Sequence, residues 1–91
     1  MKTWKTEIVN DVRAAAEGAR IVSLKEVAEA RGINHIKTQD AREIIAAVLE
    51  MLPGFRAVRM MVTTNDSLFQ SLCFVENDVE FDDGAAYAAE G

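Results

Sequence analysis

The order of patterns along the chain predicts an α+β fold: three helices, then a C-terminal β-hairpin, then an acidic segment. Apolar residues recur at helical steps through the first half. After Pro53-Gly54 the sequence becomes β-branched and alternating. Beyond Val75 it turns acidic and then rich in Gly and Ala.

Trp4, Ile8, Val12, Ala15 and Ala19 share one helical face, and Ala14-Ala15-Ala16 favours helix, so the first helix is expected near 3–17, ending at Gly18. Ile21 and Val22 are β-branched and fit a very short strand. Ser23-Leu24-Lys25-Glu26 has the form of a capping box, opening a second helix near 23–31 with Leu24, Val27 and Ala28 inward. Gly32 stops it, and Asn34-His35-Ile36-Lys37 is a loop.

The third helix is expected near 39–52, with Ala41, Ile44, Ile45, Val48, Leu49 and Leu52 as its apolar stripe. Asp40 with Glu43 forms a second candidate capping box, and Thr38 is a competing cap. Pro53-Gly54 ends the helix. Residues 56–63 and 69–76 read as the two strands of the hairpin, with Met60 and Val62 on one face, Arg59 and Met61 on the other, and Thr64-Asn65-Asp66-Ser67 as the turn.

A chain of 91 residues holds one domain with a thin core, and 49% hydrophobic residues are enough to build it. A single cysteine, Cys73, allows no intrachain disulfide. Met1-Lys2-Thr3-Trp4-Lys5 lacks the apolar stretch of a signal peptide, and no apolar run approaches bilayer length, so a cytoplasmic protein without membrane contact is expected. Residues 76–91 contain six carboxylates and no Lys or Arg, about −6, against −5 for the whole chain, which leaves residues 1–75 near +1. The expected division is therefore a domain at 1–76 and an acidic, disordered tail at 77–91 that acts on the domain electrostatically.

Ala28, then Gly32 and Ile33, is similar to the first helix and turn of helix-turn-helix motifs, where the small residue lets the helices approach and the glycine makes the turn. The stretch Ala41 to Phe55 resembles the third helix of winged helix-turn-helix domains running into the wing. The likeness covers roughly 3–76, with a loop through His35 and Lys37 about three residues longer than in the compact motif. It implies a three-helix winged helix with a C-terminal β-hairpin wing. Size and character also resemble those of small phage- and plasmid-encoded proteins.

The resemblance makes the third helix the recognition helix, its N-terminal end facing the major groove of double-stranded DNA. Asn34, His35, Lys37, Thr38, Gln39 and Arg42 fall there, with Arg56 and Arg59 supporting from the wing. Gln can pair with adenine and Arg with guanine, while Lys and Thr can hold phosphates. Asp40 and Glu43 lie in the same surface and would repel phosphates.

His35 lacks metal-ligand spacing with any partner, and Cys73, between Leu72 and Phe74, reads as a structural thiol. Trp4, Phe55, Phe69 and Phe74 read as core rather than as a stacking platform. No catalytic, cofactor or metal motif is present, so no enzyme is expected. The leading expectation is a non-enzymatic DNA-binding protein, a small regulator or replication accessory factor. The runner-up is a protein-interaction module or phage-type inhibitor that binds a host protein through the same scaffold and the acidic tail, with Phe81 and Tyr87 as anchors. A homodimer is expected if the first helix leaves apolar residues exposed.

Overall fold

The computed structural model describes residues 3–60 and 67–80. Helix α1 spans Thr3–Ala16 and buries Ile8, Val9 and Val12, a stripe at three- and four-residue steps. Strand β1, Ile21–Ser23, leads directly into α2, Leu24–Glu29. Ser23 caps α2, its hydroxyl accepting from the Glu26 amide at 3.3 Å. The chain leaves α2 through a Schellman closure: the Ile33 amide donates to the Ala28 carbonyl and the Gly32 amide to that of Glu29. Gly32 sits at φ +79°, the left-handed conformation that this closure requires and that a Cβ would strain.

Helix α3 spans Thr38–Met51 and buries Ala41, Ile44, Ile45 and Val48, with Leu49 and Leu52 half-buried beside them. Its expected caps do not form. Lys37 occupies the N-cap position and makes no side-chain capping bond. Asp40 and Glu43 instead meet Lys5 of α1.

Strand β2 spans Phe55–Arg59, and β3 spans Leu72–Glu76. β1 and β2 each pair antiparallel with the central β3, in the strand order β1-β3-β2, with Ile21 opposite Val75 and Phe55 opposite Glu76. The expected strand at 69–76 is corrected at its start. Leu68–Ser71 form a short helix, α4, before β3 begins. The cause is local: Ser67 and Gln70 make a reciprocal capping box, with the Gln70 amide on Ser67 Oγ at 3.3 Å and the Ser67 amide on Gln70 Oε1 at 2.9 Å. The helical turn also points Leu68 and Phe69 into the core. Of the expected first strand, residues 56–59 belong to β2, and its remainder at 61–63, like most of the turn at 64–67, lies outside the described residues.

The helices cover one face of the sheet. Val22, Ala57, Leu72 and Phe74 from the sheet side meet Ile8, Val12, Leu24, Ile44 and Ile45 in the main core. Trp4 and Phe55 pack at its edge, while Phe69 and Phe74 are fully buried in it. Side chains alternate along a strand, so Val58, Cys73 and Val75 emerge on the opposite face, where they form a second buried cluster. Val79 packs against that cluster. The described start of the expected tail is thus bonded to the body: the Asn77 amide donates to the Gly54 carbonyl at 2.8 Å, and Arg20 pairs with Glu76 and Asp78. Residues 81–91, the rest of the expected tail, lie outside the described residues. No helix among the described residues is long and apolar enough to cross a membrane.

Candidate nucleic-acid interface

The buried stripe of α3 fixes which of its residues face outward. Thr38, Gln39, Arg42, Glu43, Ala46 and Glu50 are exposed along the opposite side. Lys37 is exposed at the helix start, and Asn34 and His35 are exposed just before it. The approach to this point is pinned from both sides. Ile36 is buried, 2% exposed, and the His35 ring meets Phe69 edge-on with centroids 6.1 Å apart. The fold therefore brings Lys37, Thr38, Gln39 and Arg42 together at one end of one helix, on a supported loop. Among the described residues neither Lys37 nor Arg42 is in an ion pair.

Lys5 changes the electrostatics of this end. Its Nζ lies 2.6 Å from Asp40 Oδ1 and 2.6 Å from Glu43 Oε1. The residue is only 6% exposed, so its ammonium reaches the carboxylates from beneath. Hydrogen bonding to Asp40 and then to Glu43 raises the Lys5 pKa above its ordinary value and holds it charged. Its Nζ also lies 5.8 Å from the centroid of the Trp4 ring. One of the two negative charges expected to repel phosphates is thus offset from within the fold. Sequence reasoning missed Lys5, although a signal existed. Lys5, Ile8, Val9 and Val12 lie on one helical stripe, and a lysine on a core stripe needs acidic partners.

Arg56 and Arg59 are placed differently. Arg56 is half-buried on β2 and donates to the carbonyls of Glu76 and Val79, each at 2.7 Å. Arg59 Nε donates to Ser71 Oγ at 2.9 Å, and that hydroxyl donates to the Ser67 carbonyl at 2.8 Å. Both guanidiniums are engaged in holding the segments that flank β3. Arg31 is likewise engaged: it chelates Asp11 and bonds Glu7 at 3.1 Å, clamping the end of α2 to α1. Hydrogen bonding to Arg31 lowers the Asp11 pKa below its ordinary value.

Two shallow grooves of about 310 Å³ each flank Ile21. One is walled by Ala15, Ala19, Val27 and Ala30, the other by Met60, Gln70, Ser71 and Cys73. Ile21 and Met60 are each 44% exposed. Among the described residues, no three His, Cys, Asp or Glu side chains are grouped to hold a metal ion. Compared with protein-family models, curated proteins and solved structures, the chain has no match.

Proposed function

We propose that the protein is a winged helix-turn-helix domain that binds double-stranded DNA through the start of α3. The fold reading is supported by the succession of helix, short strand, two helices and two further strands with the short α4 between them, and by the strand order β1-β3-β2. The observation that carries the function is the exposed group Lys37, Thr38, Gln39 and Arg42 at the N-terminal end of α3. A helix start is electropositive through its free amides, which suits phosphate, and its side chains reach base edges when it enters the major groove. Lys37 and Thr38 would hold phosphates; Gln39 and Arg42 would read bases. The protein would act without catalysis, as a small regulator or replication accessory factor.

Anisotropy of a labelled duplex at low salt tests this. Binding by the wild type that is weakened by Lys37→Ala with Arg42→Ala supports it. Equal binding by wild type and double variant removes the α3 start from consideration.

A second reading, a protein-interaction module of the phage-inhibitor type, draws on other observations. Most of the basic residues away from α3 are engaged internally, and apolar grooves lie on both sides of Ile21. Loss of a protein complex on Ile21→Asp, with no duplex binding by the wild type, would favour it.

A further inference from the structure

We infer that Lys5 supplies the net positive charge that the start of α3 presents to a polyanion, acting as a compensating residue and not as a contact. This rests on the DNA-binding reading of α3. Five formally charged residues bear on the helix start: Lys5, Lys37, Asp40, Arg42 and Glu43. With Lys5 their formal charges sum to +1, and without it to zero. The placement of the charges matters as much as the sum. Asp40 and Glu43 side chains are 28% and 45% exposed, whereas that of Lys5 is 7% exposed. A phosphate over α3 therefore meets the carboxylates at the surface and cannot touch the ammonium. What Lys5 supplies is a counter-charge at 2.6 Å from each carboxylate, which halves the formal negative charge of the pair, from −2 to −1.

Helix α3 begins at Thr38 with Lys37 as its N-cap, so Asp40 and Glu43 fall inside the helix, and both reach Lys5 of α1. Lys5 thus couples the docking of α1 on α3 to the electrostatic character of the α3 surface.

The experiment compares duplex affinity at low salt for wild type, Lys5→Met, Asp40→Asn with Glu43→Gln, and the triple variant, each checked for cooperative unfolding. Lys5→Met keeps the apolar stem and removes only the charge. It should weaken binding about three- to ten-fold, the Coulomb effect of one surface charge on nearby phosphates, and the difference should shrink as salt rises. The triple variant should restore wild-type affinity or better. Asp40→Asn with Glu43→Gln on the Lys5 background should bind more tightly than wild type, a readout that does not depend on how well Lys5→Met folds. Wild-type affinity in Lys5→Met would overturn the inference, as would a triple variant no better than Lys5→Met, which would make Lys5 a structural residue or a direct contact. If the wild type itself binds no duplex, the DNA-binding reading fails and takes this inference with it.

Discussion

Arg42 and Arg56 are the same residue type, and the winged-helix resemblance placed both at a DNA-facing surface; the fold puts them to opposite uses. Arg42 stands exposed on α3, on the side opposite the buried stripe. Arg56 turns onto two carbonyls, one at the end of β3 and one beyond it. The difference lies in the acceptors that folding brings to each. α3 satisfies its own carbonyls within the helix, so little backbone is left for Arg42 to bond. The turn after β3 leaves carbonyls facing the sheet, and a guanidinium with five donors is suited to collect them. Basic residues counted along a sequence therefore overstate a basic surface when some lie beside chain ends that need tying down.

The largest expected effects come from the two faces of α3. Ile45→Ala, at a site 1% exposed, should lower stability by about 2–5 kcal/mol. Arg42→Ala should change it by no more than about 0.5 kcal/mol. Chemical denaturation of the two variants gives both values, and similar losses would mean that Arg42 is engaged in the fold as Arg56 is.

Next comes the segment that Arg56 holds. Arg56→Ala should cost about 1.5–3 kcal/mol through the loss of charge-assisted bonds to two carbonyls. Ending the chain after Asn77 removes Val79 from the Val58, Cys73 and Val75 cluster, together with the carbonyl that Arg56 bonds. It should cost about 1–3 kcal/mol. Thermal unfolding of both variants measures this, and a truncated chain as stable as the full one would show that the contacts beyond Glu76 are incidental.

A smaller effect is expected at acid pH from the clamp between α1 and α2. The folded Asp11 carboxyl titrates below its unfolded value because Arg31 bonds it. The stability it contributes is therefore fully present above the ordinary carboxylate range and is lost as pH falls through the lowered folded value. Both side chains are more than a third exposed, so the effect is modest. Asp11→Asn should flatten the acid limb of stability against pH relative to wild type. An unchanged acid limb would remove the clamp as its source.

The helices were legible because their apolar spacing is periodic over several turns. The same signal located Ile44, Ile45 and Val48 in the core, and Gly32 marked the turn that its positive φ requires. α4 was not legible from periodicity, since Leu68–Ser71 is a single turn and the apolar run Leu72 to Val75 reads as strand on both sides of any boundary. The Ser67-x-x-Gln70 capping signature was the available clue. At the candidate site, the exposure of Gln39 and Arg42 agrees with the phase of the apolar stripe, while Lys37 and Thr38 were placed beside them by the winged-helix resemblance and a loop that ends at Lys37. The pairing of Lys5 with Asp40 and Glu43 and the inward turn of Arg56 did not, because both depend on which distant elements the fold sets side by side.

The most direct test is the salt dependence of duplex binding for wild type, Lys37→Ala with Arg42→Ala, and Arg56→Ala, at a temperature where all are folded. Each phosphate contact contributes a slope of about 0.9 in log affinity against log salt. The wild type should bind with a clear slope. The α3 double variant should lose about 0.9 of that slope, the value for the one phosphate that Lys37 holds, and Arg56→Ala should keep the wild-type slope. Equal slopes for the wild type and the α3 variant, or a loss in Arg56→Ala as large as in the α3 variant, would contradict an interface confined to the start of α3.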